Sequence, residues 1–118
     1  MTDYTLPKTE KLKRKSEISL LFEKGKWHSY GSVKIIVLQN DGGTQVGVSV
    51  SKRFFKRAVH RNRTKRLMRE VYRLNKDMFH STFGKDTLMM LFWVSPQLPQ
   101  SYREVEKHFV SLCRKYQK

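Results

Sequence analysis

Between Lys52 and Lys76 the chain carries eleven Lys and Arg side chains and a single carboxylate, Glu70. Side chains of this kind do binding chemistry. The arginine guanidinium is planar, always charged, and meets phosphate oxygens through paired N–H donors. Lined up without counter-charge, such groups repel one another, and phosphates would supply the missing negative charge. A helix face that is merely solvated mixes signs and gains i, i+4 pairs. The candidate phosphate contacts are Lys52, Arg53, Arg57, Arg61, Asn62, Arg63, Lys65, Arg66, Arg69 and Arg73. Aromatic residues offer a second kind of contact. Phe22, Trp27, Tyr30, Phe54, Phe55, Phe92 and Trp93 could stack unpaired bases, at about 1–3 kcal/mol each. Core packing suits Phe92 and Phe109 better, whereas Trp27 and Tyr30 stand in a polar stretch that reads as loop.

The same residues exclude a self-sufficient enzyme. A two-metal nuclease needs several convergent carboxylates, and the acids here are scattered, from Asp3 and Glu10 to Glu104 and Glu106. His28, His60, His80 and His108 stand far apart in the chain. The single cysteine, Cys113, completes no common zinc set, rules out an internal disulfide, and fits a reducing cytoplasm. There is no glycine-rich phosphate loop of the Walker type. No catalytic residue and no metal ligand is assigned to the chain itself.

The elements that must position the cations follow from composition and periodicity. A length of 118 residues is that of one domain, with 1–10 expected to be a flexible arm and 11–118 a single polyanion-binding domain. Lys plus Arg number 25 against 10 Asp plus Glu, a formal net charge of +15, and two-thirds of the excess lies in residues 52–76. A polyanionic partner is expected: RNA, DNA or an anionic membrane. No apolar run approaches the ~18 residues of a membrane span, and no secretory segment follows Met1–Tyr4.

Ser16 reads as the N-cap of a short helix ending near Gly25, with Ile18, Leu21 and Phe22 on one face. Residues 33–39 read as a strand. Asp41-Gly42-Gly43 would close a hairpin onto a second strand, where Val46, Val48 and Val50 alternate with small residues. Lys56 to Met78 reads as one long helix, with Leu67, Val71, Leu74 and Met78 facing the core, Met68 and Tyr72 beside them, and Asn62, Arg66, Arg69, Arg73 and Lys76 opposite. Asp86 to Val94 is a strand apolar on both faces, and Ser95–Gln100 a rigid loop. Ser101 and Glu104 form a capping box before a last helix carrying Tyr102, Val105, Phe109, Leu112 and Tyr116. The order α-β-β-α-β-α gives an α/β (α+β) sandwich with a mixed sheet.

Val46-Gly47-Val48-Ser49-Val50-Ser51-Lys52-Arg53, followed by Ala58 to Glu70 with Arg61-Asn62-Arg63, Lys65-Arg66 and Arg69-Glu70 at its centre, closely resembles the protein subunit of bacterial ribonuclease P. A looser likeness spans Lys11 to Lys118. The resemblance implies a left-handed β-α-β crossover containing the arginine-rich helix, the reverse of the usual hand. It implies a protein that binds ribonuclease P RNA and the 5′ leader of precursor tRNA, with Mg²⁺ held mainly by the RNA and the chemistry carried by it. It implies a leader cleft between the first helix and the sheet, lined by Ile18, Phe22, Ile36, Val48 and Val50. Neither a membrane nor a protein partner is expected. Ile18 and Ile36 stand where many members carry an aromatic, and the family's glycine in the strand-to-helix loop is replaced near Phe55. A ribosomal or RNA-assembly protein would share the composition, but has no reason to carry the contiguous run at 58–70.

Overall fold

The computed structural model describes residues 11, 12, 14–40 and 43–116. The expected arm at 1–10 and the Asp41-Gly42 half of the expected turn lie outside the described residues. In chain order the elements are α1 (Lys15–Lys24), β1 (Lys26–Tyr30), β2 (Val33–Gln39), β3 (Gln45–Val50), α2 (Ala58–Leu74), α3 (Lys76–Phe83), β4 (Thr87–Trp93) and α4 (Tyr102–Lys115). The class is α+β, with a mixed four-stranded sheet in the order β1-β2-β4-β3.

Four expectations are corrected. First, β2 and β3 do not form a hairpin. β4 lies between them, antiparallel to β2 and parallel to β3. The reason is visible in the side chains. β4 is apolar on both faces and needs an interior place, whereas β3 alternates valine with Gly47 and Ser49 and suits an edge. Second, Trp27 and Tyr30 are not in a loop. They belong to β1, an antiparallel edge strand on β2, joined to it by Gly31-Ser32. Gly31 sits at φ 56°, a positive φ that a two-residue hairpin turn demands. Third, the long helix breaks at Asn75, whose backbone leaves the helical region at φ −123°. Its side-chain amide donates to Val71 O (2.8 Å), one turn back, where the continuing helix would place a backbone N–H. Fourth, the caps differ. α1 starts one residue before Ser16, with Arg14 as N-cap. Ser101 caps α4 without a side-chain hydrogen bond, while Glu104 Oε2 accepts from the backbone N–H of Gln100 (2.7 Å).

The sheet separates two apolar clusters. On one face Val33, Ile35, Val46, Val50, Met89, Leu91 and Trp93 pack against Met68, Val71 and Tyr72 of α2, Phe79 of α3, and Val105, Phe109 and Leu112 of α4. On the other, Ile36 and Leu88 pack against Leu12 and against Leu21 of α1. The core stripe of α2 is thus Thr64, Met68, Val71 and Tyr72. Leu74, expected in the core, is 56% exposed because the chain turns away just beyond it. Among the described residues no helix is long and apolar enough to cross a membrane.

α1 closes on the sheet at Gly25. A Cβ there would meet the Leu21 carbonyl oxygen and lie 2.6 Å from Ile36 Cγ1. Gly25→Ala is expected to destabilise by about 1–3 kcal/mol through overpacking, measured as a lower denaturant midpoint.

On the α4 side of β1, the His28 ring packs on Tyr116 (4.4 Å between centroids) and Phe83 (5.0 Å). Burial, and then Lys26, hold its pKa below the usual value. The unfolded chain therefore binds a proton that the folded chain resists. This contribution to stability is fully present above pH ~6.5 and is lost as the pH falls through the folded pKa. A His28→Phe variant should show a flatter decline of unfolding free energy below that pH.

Candidate nucleic-acid interface

β3 delivers the chain to the basic region, and a short tight loop turns it into α2. Ser51 organises that loop. Its carbonyl accepts from the N–H groups of Phe54 and Phe55, both at 3.2 Å, and its hydroxyl accepts from Arg53 N–H at 3.0 Å. Phe55 is buried and pins the loop to the core. Lys52, Arg53 and Arg57 are left exposed around it.

Two of the signature arginines are braces. Arg61 Nη1 donates to Phe55 O (2.8 Å) and Lys56 O (2.7 Å), tying the strand-to-helix loop to the first turn of α2. Arg63 donates to Pro99 O (2.8 Å) and Gln100 O (3.2 Å), tying the loop before α4 to the other flank. Arg73 is paired with Glu70 (2.6 Å). The single acid of the basic segment is thereby occupied at the far end of the helix.

The remaining cations are differently placed. Asn62 and Arg66 are exposed, and Lys65 and Arg69 half-buried. Burial pulls the Arg69 pKa down. Among the described residues no carboxylate lies within ion-pair distance of Lys52, Arg53, Arg57, Lys65, Arg66 or Arg69. Beside this ridge, between α2 and α4, an open groove of about 560 Å³ is lined by Arg66, Leu67, Glu70, Leu74 and Tyr102. The Tyr102 hydroxyl donates to Glu106 Oε2 (2.6 Å), and burial with that hydrogen bond raises its pKa.

The expected cleft residues divide between the two faces of the sheet. Ile18, Phe22 and Ile36 lie on the α1 side: Ile18 half-buried, Phe22 44% exposed, and Ile36 sealed beneath α1. Val48 and Val50 turn the other way, into the cluster under α2 and α4. This is a correction set by pleating, because the α1-side face of β3 presents Gly47 and Ser49 instead. Phe92 packs against the apolar cluster beneath α1, in line with the core role expected of it. It is half-buried and joins Phe22 and Trp27 in a cluster of rings on the α1 side. The sequence reading missed Lys34, whose ammonium lies 4.6 Å from the Trp27 ring centre. The alternation Trp27–Ser29 against His28–Tyr30, followed by Gly31-Ser32, was the signal that could have found this face.

No three His, Cys, Asp or Glu side chains gather in a way that could hold a metal among the described residues. The Cys113 thiol is buried and pushed up to about 12 by desolvation, which keeps it protonated and unreactive.

One helix bearing cations without carboxylate partners among the described residues, mounted beside a mixed sheet, defines a polyanion-binding α+β domain. A family model described as Ribonuclease P matches residues 6–117, and the chain belongs to that family. It is 30% identical over 110 residues to the ribonuclease P protein component of Finegoldia magna, covering 93% of each chain. It is 33% identical over 111 residues to that of Porphyromonas gingivalis, covering 88% of this chain and 80% of the other. The fold is similar to the solved RNase P proteins of Staphylococcus aureus (TM-score 0.73, 18% identity, 90% of this chain and 94% of that one) and Thermotoga maritima (0.71, 19%, 92% and 99%).

The two classes of arginine predict different mutant behaviour. Arg66→Ala and Arg69→Ala should each lower the log–log salt slope of RNA binding by roughly 0.7–0.9. Arg61→Ala and Arg63→Ala, whose N–H groups are engaged by loop carbonyls, should lower that slope less than these and reduce stability by about 1–2 kcal/mol. Salt titrations of RNA affinity and denaturant melts of the four variants check this.

Proposed function

We propose that this chain is the protein component of a ribonucleoprotein endoribonuclease that matures the 5′ end of tRNA. It binds ribonuclease P RNA through the ridge of Arg66, Arg69 and Lys65 and the adjoining Lys52, Arg53 and Arg57, with Asn62 on the same face. The 5′ leader of precursor tRNA lies on the sheet face beside α1, near Ile18 and Phe22. The observation that carries this reading is the row of cations with no carboxylate partner among the described residues. A phosphate backbone meets that demand directly. Arg61 and Arg63 serve the interface by holding its two flanking loops, and Arg73 contributes through whatever charge Glu70 leaves uncancelled.

The role is electrostatic and positional. Cations between two RNAs screen their mutual repulsion and raise the local concentration of substrate. Among the described residues no group of carboxylates fits a Mg²⁺ site. A magnesium ion takes carboxylate and phosphate oxygens in octahedral array, and Glu70, the acid nearest the ridge, is tied to Arg73. The resemblance to ribonuclease P proteins implies that Mg²⁺ and the hydrolytic step belong to the RNA.

The test is cleavage of precursor tRNA by a bacterial ribonuclease P RNA at limiting Mg²⁺. Addition of this protein should raise the rate by at least an order of magnitude, and the protein alone should cleave nothing. Absence of stimulation, with selective capture of ribosomal RNA from total RNA, would favour an RNA-assembly role instead. Cleavage by the RNA-free protein would overturn the assignment of chemistry to the RNA.

A further inference from the structure

We propose that the outer face of α4, through Arg103, Lys107 and Arg114, is a second phosphate-binding surface, which grips the backbone of folded RNA across the groove from the α2 ridge. The inference rests on the proposed function only for the identity of that RNA, ribonuclease P RNA.

Helical spacing places these cations together. α4 turns Val105, Phe109, Leu112 and Cys113 into the core. Arg103, Lys107 and Arg114 fall at i, i+4 and i+11, on the side away from that stripe, and all three are exposed. They span about 16 Å of helix, and with Glu106, Val110 and Ser111 they line an open depression of about 350 Å³. This surface adjoins the groove between α2 and α4. Tyr102, beside Arg103 in the chain, lines that groove together with Arg66. Its hydroxyl donates to Glu106 Oε2 (2.6 Å). The Tyr102–Glu106 pair is therefore the shared wall, with Arg66 of α2 on one side and the α4 cations on the other.

The acids of α4 do not answer these cations. Glu104 Oε2 accepts from the backbone N–H of Gln100 (2.7 Å). Glu106 Oε2 accepts from the Tyr102 hydroxyl and, at 3.3 Å, from the side-chain amide of Asn75. Among the described residues no carboxylate lies within ion-pair distance of Arg103, Lys107 or Arg114. Position adds to the cost. Arg114 suits the last turn of a helix, but Arg103 stands in the first turn, where the helix dipole opposes a cation. An external anion would relieve both. The lining chooses which anion. None of the side chains around the depression is aromatic, so unpaired bases find no stacking partner there. Val110 is its one apolar side chain, too little to enter a lipid surface. Phosphodiester oxygens take arginine forks and a lysine ammonium without either feature. An RNA held at Arg66 that crosses the groove meets this second row.

The test removes the row and reads the salt dependence of RNA binding. Arg103→Ala, Lys107→Ala and Arg114→Ala are combined in the full chain, and affinity for a bacterial ribonuclease P RNA is measured against NaCl concentration. The combined variant should lower the log–log slope by roughly 2–2.7, from 0.7–0.9 for each lost phosphate contact, and weaken binding about tenfold or more at about 0.1 M salt. Its denaturant midpoint should stay near that of the wild type, since all three side chains are exposed. A control with Lys24→Ala, Lys26→Ala and Lys85→Ala removes the same charge from α1, β1 and the segment before β4. It should lower the slope by less than half as much. An equal fall in both would mean that net charge alone acts, and would overturn the α4 surface. An unchanged slope in the α4 variant, while Arg66→Ala lowers it, would also overturn the surface and leave the tRNA-maturation reading intact. Capture of the wild type by phosphatidylglycerol vesicles, lost in the α4 variant with the RNA slope unchanged, would give this face to a membrane instead. A lowered slope on ribosomal RNA, without stimulation of ribonuclease P RNA, would keep the phosphate surface and remove the tRNA-maturation reading. If the combined variant does not fold, Lys107→Ala decides alone: a fall of roughly 0.7–0.9 supports the surface and no fall overturns it.

Discussion

Repulsion along α2 is the constraint that the rest of the structure answers. Eleven cations within 25 residues share one carboxylate, and Arg73 occupies it. Such a helix would be a poor one in isolation, since like charges on one face oppose helix formation. It is held by the opposite face. Thr64, Met68, Val71 and Tyr72 are buried against the sheet and α4, and burial of that apolar surface offsets the electrostatic cost. The charges are thus mounted on a rigid support, which binding a shaped polyanion requires.

The division of labour among the arginines follows from the same constraint. A guanidinium has five N–H donors, enough to fix a loop by its backbone carbonyls while its charge remains. Arg61 and Arg63 do this on the two flanks of the helix. Backbone carbonyls accept hydrogen bonds without neutralising the charge, so the loops are fastened and the ridge stays cationic. Family membership then gives the cationic ridge its context.

Much of this was legible in the residues. The concentration of charge at 52–76, the apolar strand before Val94 and the helix after Ser101 are local patterns, and local patterns survive folding. What failed was non-local. The insertion of β4 between β2 and β3 depends on which strand most needs two covered faces, which no single segment states. Which way Val48 and Val50 point depends on the sheet face α1 chooses. The break at Asn75 turns on one side-chain amide reaching Val71 O. β1 was hidden because its residues are mostly polar or exposed, as edge strands often are. Its ring was noticed by type, but its neighbours Lys34 and Phe92 arrive through pairing. Arg61 and Arg63 stood in the signature as two more cations, and their carbonyl partners at 55, 56, 99 and 100 appear only when the loops are in place.

The most direct measurement concerns the protein without any RNA. If the ridge lacks internal counter-charge, added NaCl screens its self-repulsion and stabilises the fold, whereas internal ion pairs would be weakened by the same salt. Unfolding free energy from urea melts should therefore rise as NaCl increases from about 0.02 to 0.3 M, over which the Debye length shrinks severalfold. A stability that stays flat or falls over that range would mean the cations on α2 already have their partners within the chain.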